Sequence, residues 1–132
     1  MSEYMKPLPK PTPTSRPFWD AARRHELKLQ RCSACAAFIY YPRERCPHCF
    51  SDRLSWERVS GRGKVYSYTV VRRASSRAFA EPYVLAIVEL DEGPRMTTNI
   101  DAAPEKVKVG MPVVAEFDDV TPEHTLVKFK PA

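Results

Sequence analysis

Apolar and polar residues alternate along five short stretches in the second half of the chain, as expected of β-strands that bury one face. The stretches are GKVYSYTVVRRA, PYVLAIVELDEG, RMTTNID, PVVAEFDD and TLVKFKPA. All four glycines lie at boundaries of these stretches, where turns use them. Five strands in about seventy residues predict a small closed barrel of the OB type over residues 58–132. Half of a β-sandwich is the alternative, although it would leave sheet edges unpaired.

The chain before residue 58 has a different pattern. Ser15 is a helix N-cap candidate and Pro17 suits a first helical turn, so we predict a short helix from Pro17 to His25. ELKLQR then alternates, with Leu27 and Leu29 on one face, and predicts a strand. Prolines at positions 7, 9, 11 and 13 exclude regular structure from residues 1–16, which we expect to form an extended arm.

All four cysteines of the chain lie within RCSACAAFIYYPRERCPHCF. Two disulfides, a redox pair, a working metal centre and a structural metal site are the possible uses of four thiols. Two C-x2-C pairs separated by ten residues are typical of two knuckles that together form a tetrahedral S4 cage for Zn2+. The spacer AAFIYYPRER has room for two short strands and a turn near Pro42. The predicted metal ligands are Cys32, Cys35, Cys46 and Cys49.

A closed S4 cage leaves no coordination position for water or substrate, so the predicted zinc is structural. Residues 32–49 contain few large apolar side chains, and metal binding can supply on the order of 10–16 kcal/mol of folding free energy. Removing the metal is therefore expected to disorder residues 27–55 while the barrel keeps its strands. Iron in a rubredoxin-like site, and His48 in place of one thiol, remain alternatives. The predicted fold class is mostly β: residues 17–57 form a helix and a rubredoxin-like zinc ribbon, and a five-stranded OB barrel follows.

Length and charge narrow the possible functions. The chain has 132 residues, of which 43% are hydrophobic, enough for one compact core or two small ones. The start lacks the apolar core of a signal peptide, and no apolar run is long enough to span a membrane. We therefore expect a cytoplasmic protein with reduced thiols.

A net charge of +5 together with an OB barrel raises the possibility of single-stranded nucleic-acid binding through aromatic and basic side chains. The charge is modest for that role, and acidic residues lie within the barrel segment itself. Nucleic-acid binding is therefore the alternative rather than the main hypothesis. The candidate aromatics are Tyr66, Tyr68, Phe79 and Tyr83, and the candidate bases are Arg62, Lys64, Arg72, Arg73 and Arg77.

Five stretches in fixed order carry a resemblance to a known family: FWDAARRHELKLQRC, YPRERCPHC, WERVSGRGKVYSYTVV, PYVLAIVELDEGPRMTTNI and VKVGMPVVAEF. Across roughly residues 17–130 the chain resembles the bacterial and archaeal zinc-ribbon/OB-fold proteins associated with acyl-CoA, a former domain of unknown function. Many members have Gly directly after each knuckle, where this chain has Ala36 and Phe50. Glycine relieves backbone strain at such positions.

The resemblance implies a partner subunit rather than a free-standing enzyme. Members assemble with thiolase-fold enzymes that transfer acyl groups or cleave steroid side chains by a retro-aldol reaction. In these complexes the small subunit supports the active site of its partner and helps to hold acyl-CoA. By this resemblance, we expect a hetero-oligomer with a thiolase-fold enzyme, acyl-CoA at the interface, and catalytic residues in the partner.

The residues of the chain agree with a non-catalytic role. If the metal takes all four cysteines, no thiol nucleophile remains. His25 and His124 are isolated in the sequence, and Glu81 and Asp101 have no evident acidic partner. Arg or Lys side chains could bind the phosphates of CoA. An irregular loop before the second barrel strand could contact the acyl group or the partner. The candidate contacts with acyl-CoA or the partner are Phe18, Trp19, Arg62, Lys64, Arg72, Arg73, Phe79 and Tyr83.

Overall fold

A computed structural model of the chain describes residues 6–74, 76–80 and 82–132. One α-helix is followed by a small three-stranded sheet and then by a five-stranded closed barrel. A 3-10 turn, Pro104–Lys106, precedes the last two strands. The elements are α1 (Arg16–Arg23), β1 (Lys28–Cys32), β2 (Phe38–Ile39), β3 (Leu54–Arg58), β4 (Arg62–Val71), β5 (Tyr83–Leu90), β6 (Arg95–Ile100), β7 (Pro112–Thr121) and β8 (His124–Pro131).

The helix ends two residues earlier than the sequence predicted. His25 adopts a left-handed backbone conformation with φ +60°, which stops the helix. The backbone N–H groups of His25 and Glu26 then bond back to the carbonyls of Ala22 and Ala21, closing the helix end. At the other end Ser15 is at the N-cap position, but its side chain makes no capping bond and instead accepts a hydrogen bond from the Thr12 backbone.

The ribbon sheet has the strand order β2-β1-β3, and all pairs are antiparallel. The predicted strand ELKLQR corresponds to β1, and Leu27 and Leu29 both point into the core. The spacer between the knuckles forms only one strand of two residues, so the prediction of two strands there is wrong. Gln30 explains the difference, because its side-chain amide bonds to both backbone groups of Arg43 and holds the rest of the spacer as a loop.

The five strands predicted for the second half are all present and close into a barrel of order β4-β5-β6-β8-β7. The short parallel pair between Ile100 on β6 and Phe129 on β8 completes the ring. Gly63 is required where β4 meets β5, because a Cβ at this position would lie 2.4 Å from the carbonyl oxygen of Glu89. The predicted fold class, a helix and zinc ribbon followed by an OB-type barrel, is confirmed.

One hydrophobic cluster joins the barrel to the N-terminal elements. Phe18 of α1, together with Leu27 and Leu29, packs into the same cluster as the fully buried Val88 and Phe129 of the barrel. The first strand of the ribbon is therefore held by the barrel core as well as by its own sheet. Among the described residues, no helix has the length and apolar character needed to cross a bilayer.

Candidate functional site

The two cysteine pairs lie in two matching backbone turns. The N–H of Ala36 donates to the carbonyl of Cys32 at 2.7 Å, and the N–H of Phe50 donates to the carbonyl of Cys46 at 2.8 Å. Ala36 and Phe50 both have left-handed backbones, with φ of +65° and +64°. The knuckles therefore keep their geometry at the cost of strain in two L-residues, a conformation that glycine adopts without such strain.

The four sulfur atoms converge on one point. All four lie within 4.8 Å of one another, and the Cys32–Cys49 and Cys35–Cys46 Sγ pairs are 3.6 Å apart. Tetrahedral zinc with Zn–S bonds of about 2.3 Å needs sulfurs roughly 3.8 Å apart, so the set fits a single ion. The exposed side chain of His48 does not belong to this group, and only its backbone N–H approaches the sulfur of Cys46.

Half of the ligand set is buried. Cys32 and Cys46 are inaccessible to solvent, whereas Cys35 and Cys49 lie at the surface. A hydrogen bond from the Cys35 backbone N–H lowers the pKa of the Cys32 thiol to about 7, whereas burial and the neighbouring thiols leave the pKa of Cys35 and of Cys49 raised, so Cys32 is the member of the set most easily ionised without a metal. With four protein ligands the ion has no open position, so the site is a structural zinc centre.

The metal replaces a core in this part of the chain. A second hydrophobic cluster contains only Cys32, Ile39 and Cys46, with Leu54 packed against it. Between the knuckles, Phe38 and Tyr40 pack instead against the main cluster, so the knuckles themselves are held by few apolar contacts. We therefore expect the ion to hold the two knuckles together.

Phe18 and Trp19 have different roles. Phe18 is buried in the main cluster, and the half-buried ring of Trp19 stands perpendicular to it at 5.0 Å. Both rings line a cleft of about 240 Å3, which Tyr40, Tyr41 and Pro9 of the arm also line. Phe18 therefore belongs to the core and to the cleft, and Trp19 is the more exposed of the two.

Phe79 and Tyr83 lie at a different cavity, of about 510 Å3. Their rings stack at 5.9 Å, and the ammonium group of Lys6, in the arm, lies 5.1 Å from the centre of the Phe79 ring. The cavity also contains Asp118 and Lys128, which form an ion pair at 2.6 Å. Its walls are therefore partly aromatic and partly charged.

Two carboxyl groups meet in this cavity. Burial raises the pKa of Glu116, and the adjacent carboxyl of Asp101 raises it further, against the opposing effect of Lys130 and Lys128. The expectation that Asp101 has no acidic partner is wrong, because β8 pairs with both β6 and β7 and so brings Glu116 of β7 close to the residue that follows β6. Glu81, named with it in the sequence, lies outside the described residues.

The four basic candidates are exposed and lie at opposite ends of β4. Arg62 and Lys64 are at its start, where Lys64 approaches Glu89 at 3.7 Å. Arg72 and Arg73 follow its last residue, roughly 30 Å away for a strand of this length. The candidate contact residues therefore do not form one site. They divide among the start of β4, the loop after it and the two cavities.

His25 links the helix to the barrel, a contact that sequence reasoning missed. Its ring stacks on Phe117 at 5.3 Å, and its Nε2 lies 3.0 Å from the carboxylate of Asp119. A hydrogen bond from the Thr125 hydroxyl, and then the bond with His25, lower the pKa of Asp119. The only sequence signal was a histidine directly after a helix, where a left-handed residue is common. His124 is elsewhere, bonded to Thr121 through Nδ1 at 2.8 Å.

Two family models match consecutive parts of the chain. Residues 19–55 match the rubredoxin-like zinc ribbon domain of ChsH2, and residues 56–118 match its C-terminal OB-fold domain. The boundary between the two matches falls within β3, the last strand of the ribbon sheet.

Several named proteins are similar to this chain. A probable enoyl-CoA hydratase alpha subunit from Thermomonospora curvata is 45% identical over 87% of the chain. A DUF35 domain-containing scaffold protein from Methanothermobacter thermautotrophicus is 34% identical over 85% of the chain and 86% of its own length. The benzoylsuccinyl-CoA thiolase subunit BbsA from Geobacter metallireducens is 32% identical over 57% of the chain and 50% of its own length.

A solved structure of an Ltp2-ChsH2(DUF35) aldolase contains a chain that superposes with a TM-score of 0.84 at 40% identity. The superposition covers 93% of this chain and 98% of that one. By contrast, the match spans only 37% of the length of the Thermomonospora relative. The hydratase activity in the name of that larger protein therefore cannot be ascribed to the third of it that matches this chain.

Proposed function

Because this chain belongs to the ChsH2-type (DUF35) family of zinc-ribbon/OB-fold proteins, we propose that it is the non-catalytic subunit of an acyl-CoA-processing complex with a thiolase-fold enzyme. Its role is to support the partner's active site and to help hold the acyl-CoA substrate. The partner's reaction is acyl transfer or the retro-aldol cleavage of a steroid side chain.

The observation that carries this proposal is the near-complete match to one chain of the Ltp2-ChsH2(DUF35) aldolase. The relatives named as a thiolase subunit and as a scaffold protein point to the same kind of role. The metal site agrees with it, because an ion with four cysteine ligands stabilises a fold and offers no position for substrate.

The acyl and phosphate ends of acyl-CoA suit different parts of the surface. The cavity at Phe79 has three carboxyl groups, of Asp101, Glu116 and Asp118, against the lysines at 6 and 128, so it offers no excess positive charge to the CoA phosphates. The Phe79 and Tyr83 rings can instead contact the acyl portion. Exposed guanidinium groups at Arg72 and Arg73, at the start of the same loop, suit the phosphates.

Coexpression with a thiolase-fold protein encoded beside this chain tests the proposal. We expect the two chains to copurify in fixed stoichiometry and the complex to process an acyl-CoA, while the isolated chain shows no turnover. Thioester conversion by the isolated chain at an enzymatic rate would overturn the proposal. So would oligonucleotide binding with a steep salt dependence in a chain that binds no thiolase-fold protein.

A further inference from the structure

Phe50 combines a strained backbone with a large apolar side chain that contributes little to folding. Its backbone is left-handed, with φ +64°, a conformation that costs an L-residue roughly 1–2 kcal/mol and costs glycine little. Its side chain is 74% exposed, although it is large and apolar. A glycine here would remove the backbone strain and the exposed apolar surface together.

The fold does not require a phenylalanine at this position. The N–H of Phe50 donates to the Cys46 carbonyl, and its own carbonyl accepts a hydrogen bond from Nη1 of Arg45 at 3.2 Å. Both are backbone contacts that any residue can make. The first knuckle shows this, because Ala36 occupies the equivalent position with the same φ and only a methyl group.

The surroundings of Phe50 have the composition of a protein interface. Phe50 borders a concavity of about 480 Å3 together with Arg43, Arg45 and Pro47. Arg43 and Pro47 also line the adjoining concavity, of about 580 Å3, which contains Tyr41. Tyr41 is 68% exposed, and the Arg43 guanidinium lies 5.8 Å from the centre of its ring. Aromatic residues and arginine are the types most enriched in the energetic centres of interfaces.

The charges of this surface indicate what it can contact. Neither Arg43 nor Arg45 forms an ion pair within the part of the chain that the structure describes. Of the described residues that line the Phe50 concavity, Glu44 is the one that is acidic. A complementary surface would therefore present an apolar pocket for the ring and carboxylates around its edge.

We propose that Phe50 is the anchor of a docking surface, the ribbon-tip surface, formed by Tyr41, Arg43, Arg45, Pro47 and Phe50. Its occupant is the thiolase-fold subunit of the complex, which receives the Phe50 ring in an apolar pocket edged by carboxylates. This inference rests on the proposed function and names the part of the chain that makes the contact. The adjacent zinc ligand Cys49 fixes the backbone, so little conformational entropy is lost when the ring is buried.

Substitution by glycine at the two matched knuckle positions separates docking from folding. Phe50→Gly and Ala36→Gly both relieve left-handed strain, so both variants should bind zinc at least as tightly as the wild type. Only Phe50→Gly should weaken association with the thiolase-fold subunit, by more than about 30-fold in Kd, as for an interface hot spot. Phe50→Ala keeps the backbone strain but lacks the ring. It should weaken association with the thiolase-fold subunit without stabilising the ribbon.

Titration calorimetry of each zinc-loaded variant against the purified thiolase-fold subunit gives the decisive comparison. If the wild type and Phe50→Gly bind with equal Kd, the ribbon-tip surface is not the docking surface and the proposed function stands. If the wild type does not bind the subunit at all, both proposals fail. If sedimentation shows a wild-type dimer that Phe50→Gly converts to a monomer, the occupant is a second copy and this inference is wrong.

Discussion

Replacing Ala36 by glycine should stabilise the zinc ribbon, although glycine normally destabilises a folded chain. Ala36 has φ +65°, for which the cost to an L-residue is roughly 1–2 kcal/mol. Its methyl group is exposed, so no buried contact is lost. Glycine raises the entropy of the unfolded chain, which offsets about 0.5–1 kcal/mol of the gain. The expected net stabilisation is about 0.5–1 kcal/mol.

Zinc affinity is the most direct measure of this stabilisation, because the metal binds the folded form of the knuckle. A gain of this size corresponds to a Kd about 2- to 5-fold lower, measured by competition with a chromophoric chelator. Ala34→Gly is the matched control, since Ala34 lies in the same knuckle but does not have a positive φ. That variant has only the entropic cost and should bind zinc slightly more weakly. If Ala36→Gly weakens zinc binding as Ala34→Gly does, the argument from backbone strain is refuted.

Three further results are expected. Cys32→Ser or chelation should disorder residues 33–53 but not the barrel, as monitored by amide hydrogen exchange. Glu116→Gln should stabilise the chain at neutral pH, since burial and the Asp101 carboxyl raise the pKa of Glu116 and make its ionised form unfavourable when folded. Urea unfolding should show the gain fading as pH falls through this raised pKa, and no gain below the ordinary carboxyl pKa of about 4.3. Gly63→Ala should lower the unfolding free energy by about 1–3 kcal/mol, because its Cβ would meet the Glu89 carbonyl at 2.4 Å.

Each of these results can be contradicted. A metal-free ribbon with unchanged exchange protection would show that zinc is not what orders it. Glu105→Gln, on the exposed 3-10 turn, is the control for Glu116→Gln, and an equal effect of the two would exclude a role for the carboxyl pair. A Gly63→Ala variant as stable as the wild type would mean that β4 and β5 can separate without cost.

The sequence alone was sufficient for the metal site and for the barrel strands. Ligand spacing is local, so Cys32 and Cys35 in one knuckle identify half of the site without reference to the fold. Alternation of apolar residues is local as well, and it correctly predicted all five barrel strands. The spacer between the knuckles misled the prediction, because the contact of Gln30 with Arg43 decides its shape and spans thirteen residues of sequence.

Tertiary structure alone decided which distant side chains meet. Asp101 and Glu116 share a cavity only because β8 pairs with both β6 and β7, and His25 reaches Asp119 only because the helix packs on the barrel. These pairings depend on strand order and register, which arise from closing the whole barrel. These pairings cannot be read from the spacing of residues along the chain, whereas a C-x2-C turn is complete within a few residues.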